Sequence, residues 1–347
     1  MARQDVCRVI GARPNGQGPH VAAVEQKIVG LEEGGMRLDR WFKSHYSGLG
    51  FGHLQKLLRS GQVRIDGGRA KSDTRIEAGQ TIRIPPLEID KASPSGALTS
   101  NTMKGQADLD VLKQMLLHED KKVLVFNKPY GLAVQGGSGI TRNVDEMLEA
   151  MRSDKNEKPR LVHRIDRETS GVLVVAKTRS AAQFLTAQFR KRETKKTYWA
   201  LVKDVPRDKE GKISSWLVKE PTEDGDRMRV GKHGEKGADH AVSFFRVIEQ
   251  SGQGLCWLEM EPHTGRTHQL RVHAKQIGCP IIGDSKYFEA AWNWEFPGGM
   301  QNRLHLLARR IVIPHPDGGT LDITAPLPPH MVQSWNLLGY DEASANQ

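Results

Sequence analysis

The chain has 347 residues, 37% of them hydrophobic, which suffices for one large or two smaller domains. No stretch approaches the ~20 apolar residues of a membrane span, the opening MARQDVCRVIGARPNGQGPH lacks the apolar core of a secretory signal, and Cys7, Cys256 and Cys279 are too far apart for a disulfide framework or a paired metal motif; a reducing cytoplasm is expected. With 51 Lys and Arg against 41 Asp and Glu, the net charge of +10 points to a polyanionic partner, nucleic acid first.

In chain order, residues 1–20 are rich in Gly, Pro and polar groups and are expected to form a disordered tail. Residues 36–85 read as two short helices, one carrying Leu38, Trp41 and Phe42 and the next Leu54, Leu57 and Leu58. A Ser60-Gly61 stop follows, then a hairpin turning at Gly67-Gly68. Ten Lys and Arg and four acids fall between Met36 and Ile84, most of the chain's positive excess. Residues 21–93 are therefore expected to form a small domain that meets a phosphate backbone. Arg37, Arg40, Lys56, Arg59 and Arg64 are its candidate RNA-binding residues. Residues 94–110, part of a Ser-, Gly- and Pro-rich stretch without periodicity, are expected to be a linker.

Residues 111–340 are expected to form the second domain. Strands are read at KVLVFNK, GVLVVAK, TYWALVK, AVSFFRVIEQ, GLCWLEMEP, LHLLARRIVIP and TLDITAP. Helices are read at RSAAQFLTAQFRKR and at RTHQLRVHAKQIG, the latter stopped by Gly278. Strands that come as hairpins with few helices between them predict an α+β fold, a mixed and mostly antiparallel sheet with packed helices.

Four constellations carry chemistry. LVHRIDRETSG, residues 161–171, sets Asp166 between Arg164 and Arg167 just before an apolar strand. A carboxylate among arginines is expected to stay ionised. It could serve as nucleophile or charge stabiliser at a sugar carbon, or be part of a surface ion-pair loop. A triad of His163, Asp166 and Ser170 is not expected, because nothing resembles a nucleophile elbow and the three crowd one loop. In PHTGRTHQLRVHAKQIG, His263, His268 and His273 recur every five residues. Each step turns about 140° round a helix, so they share no face and a metal site is not expected. Arg266, after Thr264-Gly265, could pair with a carboxylate or phosphate at a helix start, or lie on the surface. RKRETKKTYWALV leads a basic run into a strand where Tyr198 and Trp199 point to opposite faces. Tyr198 could then stack on a base and move a proton, or pack in a core. NKPYGLAVQGGSG is glycine-rich but has neither GxxxxGK[ST] nor GxGxxG.

Together these segments resemble the RluA family of pseudouridine synthases. HRIDRETSG resembles the family's HRLDxxTSG, with Ile165 in place of Leu. KTYWALV resembles its tyrosine motif, TGRTHQLRVHAKQIGCPIIGDSKY its third motif, NKPYGLAVQ its opening segment and LHLLARRIVIPHP a late one. The resemblance covers roughly residues 120–335. Residues 36–85 resemble an S4-like RNA-binding domain, and QGGSG and TAPLPPHM resemble the RluC branch, which modifies 23S rRNA.

The resemblance implies a cytoplasmic, monomeric RNA pseudouridine synthase acting on 23S rRNA, without cofactor, metal or membrane. Asp166 would be the catalytic carboxylate. Tyr198 would stack on the uracil, and Arg266 would pair with Asp166. Arg164 would enter the RNA where the flipped nucleotide had been, and Leu270 would line the uracil pocket. A tRNA enzyme of the same family, a non-catalytic ribosome-assembly factor and a DNA-binding protein are the alternatives.

Overall fold

The computed structural model describes residues 24–30, 33–46, 48–87, 97–137, 139–153, 157–191, 193–222, 227–252, 254–288 and 297–346. The expected tail, 1–20, lies outside the described residues. The chain divides between Gly96 and Ala97 into two units.

In the first unit, apolar residues spaced three and four apart bury one stripe of each helix. Helix α1 (Leu38–His45) buries Leu38, Trp41 and Phe42, and α2 (Phe51–Arg59) buries Leu54, Leu57 and Leu58. They pack with Val63, Ile76, Ile82 and Ile84. Strands β1 (Glu25–Ile28), β2 (Arg64–Ile65), β3 (Gly68–Arg69) and β4 (Thr81–Ile84) form an antiparallel sheet ordered β1-β4-β2-β3. The hairpin turns at Asp66-Gly67, one residue before the expected pair. Both have positive φ, 48° and 77°, as a two-residue turn matching the strand twist demands.

The expected linker is also corrected. Helix α3 (Ala97–Gln114) covers most of it and belongs wholly to the second unit. Its weak amphipathic pattern hid it, because one of its anchors is polar: buried Asp108 takes the Arg142 guanidinium at 2.6 and 3.0 Å.

The second unit is built on β5 (Leu116–Glu119), β6 (Val123–Lys128), β7 (Arg160–Leu161), β8 (Ser170–Ala176), β9 (Lys195–Lys203), β10 (Glu210–Glu220), β11 (Arg227–Gly231), β12 (Asp239–Gln250), β13 (Leu255–Pro262), β14 (Leu306–Pro314) and β15 (Thr320–Thr324). The sheet runs β11-β10-β12-β13-β9-β14-β8-β6-β5, with β15 on β14 and β7 on β8. β8 and β14 are parallel; the other described pairs are antiparallel. The fold is α+β with a mixed, mostly antiparallel sheet, as expected. β10 and β11 were not anticipated, because the inward face of β10 includes Ser215, whose hydroxyl meets His273 Nε2 at 3.1 Å instead of an apolar neighbour.

Side chains alternate between the faces. Val123, Val125, Val172, Val174, Trp199 and Leu201 lie on one face with α5 (Arg179–Arg190) and α7 (Pro329–Leu338). On the other face Leu124, Phe126, Leu173 and Val175 pack with α3 and α4 (Val144–Met147). Farther along that face, Ala200, Val202, Leu258 and Met260 pack with α6 (Gln269–Gln276). Tyr198 packs against both of these patches. Among the described residues, no helix is long and apolar enough to cross a membrane.

Candidate active site

The segment between β7 and β8 carries Asp166, and backbone locks hold it. Lys128 Nζ, fully buried at the end of β6, donates to Pro129 O, Leu132 O and Arg167 O at 2.9, 2.8 and 3.0 Å. Burial pulls its pKa down to about 7, against the pull of the Asp166 carboxylate. Three carbonyl acceptors match the three N–H bonds that only the ammonium has. Gly131 N also donates to Arg167 O at 3.0 Å, and Thr169 N donates to Asp166 O at 3.1 Å.

His163 accepts from Val174 N at 2.8 Å and stacks on Phe189 at 4.3 Å. Burial, with Lys196 nearby, pushes its pKa down to about 3, so it anchors the loop as a neutral ring. Ile165 plugs the core, and Asp166 next to it keeps 22% of its side chain exposed.

The glycine ending LVHRIDRETSG has a structural cause. Gly171 has φ +107°, and a Cβ there would strike the Ala308 carbonyl and lie 2.8 Å from Leu307 Cδ1. Only glycine lets β8 lie this close beside β14. β14 pairs Ala308 with both Gly171 and Tyr198, so the strand after the Asp166 loop and the tyrosine strand share one neighbour. Burial and the Asp166 carboxylate both raise the Tyr198 hydroxyl pKa, keeping it a protonated phenol.

Arg271 completes the centre, from the first turn of α6. It is buried, with 2% of its side chain exposed. Nε and Nη2 grip Asp284 at 2.8 and 2.6 Å, Nη2 meets Glu168 at 3.0 Å, and Nη1 lies 4.0 Å from Asp166 Oδ2. Desolvation lowers its pKa, but hydrogen bonds and charges from these acids prevail and raise it. His268, which precedes α6 with φ 52°, bonds the Tyr287 hydroxyl through Nδ1 at 2.8 Å. Burial lowers its pKa and Asp166 opposes that.

Arg266 requires a correction. It lies before α6, not in it, and 41% of its side chain is exposed. Its guanidinium meets Asp239 at 3.4 Å and His240 O at 3.3 Å. The helix starts at Gln269, so the arginine that turns toward Asp166 is Arg271. A charge between Leu270 and Val272, both buried, was the signal in the sequence for a buried cation needing acids. Lys128, Glu168, Asp284 and His268 were likewise not among the expected site residues.

Leu270 is buried with the α6 core patch, and Arg164 is exposed beside Asp166 in the chain. In the first unit Arg40, Lys56, Arg59 and Arg64 are exposed. Arg37 is tied to Asp39 at 2.6 and 3.2 Å, so its charge is largely answered within the chain. The three motif histidines go to different partners: His263 to Phe244, His268 to Tyr287, and His273 to Ser215 and Ser243. Among the described residues no group of three or more His, Cys, Asp or Glu could hold a metal.

This geometry sits in a stretch that known proteins share. The profile of the RNA pseudouridylate synthase family matches residues 122–276, which include Asp166, Tyr198 and Arg271. A ribosomal large subunit pseudouridine synthase C of Pasteurella multocida is 34% identical over 93% of this chain and 96% of its own. The protein of that name from Escherichia coli K12 is 36% identical over 87% of this chain and 93% of its own. Human RNA pseudouridylate synthase domain containing 4 is similar in structure, with a TM-score of 0.56 and 30% identity, over 69% of this chain and 98% of that chain. Similarity along nearly the whole length of such relatives, with the matched stretch enclosing the Asp166 centre, means that the chain belongs to the RNA pseudouridylate synthase family and is an RluA-type isomerase.

Proposed function

We propose that this enzyme converts uridines of 23S rRNA, in the large ribosomal subunit, to pseudouridine with Asp166 as its catalytic carboxylate, working as a cytoplasmic monomer. The observation that carries the reading is the Asp166 loop, locked by Lys128 and facing both Tyr198 and Arg271. The names of the bacterial relatives support the large-subunit substrate. The exposed cations of the first unit, which resembles an S4-like domain, suit an RNA backbone.

In the reaction the bond from N1 of uracil to the sugar breaks and a bond from C5 to the same carbon forms. C5 loses a proton and N1 gains one, so atoms balance without a cofactor. Asp166 attacks the sugar carbon or assists departure of the base. Hydrolysis would call on a second carboxylate to direct water. Glu168, the nearest one in sequence, is instead engaged by Arg271 at 3.0 Å and Ser285 at 3.3 Å. Tyr198 stacks on the uracil, and its hydroxyl, protonated at rest, is the candidate to take the C5 proton as it gives up its own. Arg271 holds Asp166. Leu270 lines the pocket, and Arg164 fills the gap left by the flipped nucleotide, whose unstacking costs a few kcal/mol.

Pseudouridine mapping of 23S rRNA by carbodiimide labelling, in cells with and without the gene, tests this. Specific primer-extension stops should vanish on deletion and return with wild type but not with Asp166→Asn. Stops returning with Asp166→Asn would remove the catalytic assignment. Stops lost from tRNA only would move the substrate.

A further inference from the structure

Two side chains at the rim of the site have no part in the steps above. Tyr130 stands in the turn after β6, half-buried. That turn is fastened to the Asp166 loop twice: Gly131 N donates to Arg167 O at 3.0 Å, and Arg167 Nε donates back to Gly131 O at 3.1 Å. Arg303 precedes β14, and its backbone is fastened to the turn that carries Asp284. Gly283 has φ +72° and any Cβ there would strike the Arg303 backbone. His305 N donates to Ile282 O at 2.9 Å, and the Arg303 carbonyl meets His305 Nδ1 at 2.7 Å. Each residue thus rides on one of the two segments that hold the carboxylates around Arg271.

The two side chains meet. The Arg303 guanidinium lies 5.5 Å from the centre of the Tyr130 ring, and buried His330 supports the ring edge-on at 5.8 Å. The phenol is close enough to Glu168 that burial and this charge raise its pKa, while Arg303, Arg167 and Arg271 pull it down. Arg303 is exposed and forms no ion pair with an acid among the described residues. A guanidinium laid over an aromatic ring, with its outer face and N–H bonds open, can take a base by stacking and a phosphate by paired hydrogen bonds. Flipping a uridine also breaks its stack with the adjoining nucleotides, so one of them can be drawn out of the stack beside it.

We infer that Tyr130 and Arg303 form a stacked step that receives the nucleotide adjoining the target uridine, Arg303 binding its phosphate and the Arg303–Tyr130 stack extending to its base. This rests on the reading of Asp166 as the reaction centre. It makes the pair determinants of RNA binding and of preference for an unstacked neighbour, not members of the bond-making set.

The test uses the full chain and a fragment of 23S rRNA spanning the uridine mapped above. Affinity is measured by fluorescence anisotropy across a salt series, in the Asp166→Asn background so that turnover does not intrude. Arg303→Ala should weaken binding about tenfold and make the slope of log affinity against log salt shallower by roughly 0.7–0.9. Arg303→Lys should restore that slope but not the affinity, because the ammonium keeps the charge and loses the plane. Tyr130→Ala should weaken binding similarly and Tyr130→Phe should bind like its parent. An abasic site at one of the two nucleotides flanking the uridine should erase the difference between Tyr130 and Tyr130→Ala.

Parental affinity and slope in Arg303→Ala and Tyr130→Ala would overturn the step. So would full affinity in Arg303→Lys, which also decides the matter if the alanine variants fail to fold. Turnover by Asp166→Asn itself would instead remove the reaction centre on which the step rests, so the two failures are distinct.

Discussion

Arg271 reaches Asp166 with one guanidinium nitrogen, at 4.0 Å, while its other two nitrogens are bound to Asp284 at 2.8 and 2.6 Å. The buried pair with Asp284 fixes the plane of the guanidinium, and Asp166 meets a cation that cannot rotate away. Asp166 keeps 22% of its side chain exposed, and its charge helps to raise the pKa of the Tyr198 phenol.

The two motif arginines should therefore separate on mutation. Arg271→Met leaves Asp284 buried and uncompensated, which is expected to cost about 3–5 kcal/mol of stability. Arg271→Lys keeps the charge but loses the fork, and displacement of Asp166 should lower turnover about 10²-fold. Arg266→Ala breaks an exposed pair with Asp239 and should change stability by less than ~1 kcal/mol. Urea denaturation and single-turnover conversion of the three variants check this; an Arg266→Ala enzyme as slow as Arg271→Lys would contradict the assignment.

Gly171→Ala should be among the most damaging substitutions of one methyl. The added carbon meets the Ala308 carbonyl at a positive φ, where both backbone strain and overlap oppose it. A loss above ~2 kcal/mol is expected, with turnover falling because β8 and β14 must part beside Asp166 and Tyr198. A variant as stable as wild type in urea would mean that β8 can shift freely.

Acid should destabilise the second unit through buried imidazoles. Burial pushes His305 down to about 3 and His273 down to about 4, both below the ordinary 6.5. Between pH 6.5 and 4 the unfolded chain binds protons that the folded chain refuses, so stability is full above 6.5 and falls as pH drops. Each histidine contributes a slope of up to about 1.4 kcal/mol per pH unit. Denaturation series at pH 7, 6 and 5 should show this fall, and His305→Asn should flatten it by about one proton. An unaltered slope in that variant would mean that His305 titrates normally.

The exposed cations of the first unit should act by releasing counterions from the RNA backbone. Exchanging Lys56 or Arg64 for Glu is expected to weaken 23S rRNA binding and to flatten its salt dependence by roughly 0.7–0.9 for each phosphate no longer neutralised. Arg37→Ala, already neutralised by Asp39, should change the slope least. Equal slopes in all three would argue against this face as the RNA surface.

Much was legible before any fold was known. The stripes Leu38-Trp41-Phe42 and Leu54-Leu57-Leu58 proclaimed two helices because burial of apolar area obeys helical period, and every one of these side chains is buried. The apolar run of β8 and the opposite aims of Tyr198 and Trp199 followed from strand period in the same way. Elements whose inward positions are polar escaped that logic: α3 is anchored partly by Asp108, and β10 partly by Ser215.

The strand and helix core, the basic first unit and the position of Asp166 ahead of an apolar strand follow from local pattern and composition. Which arginine serves that carboxylate emerges only on folding. Arg266 and Arg271 lie five residues apart in one motif, and the choice turned on where α6 begins and on Asp284 and Glu168, brought from distant segments. Burial of a charge is a property of all the surfaces that close around it, and those surfaces meet only in the folded chain.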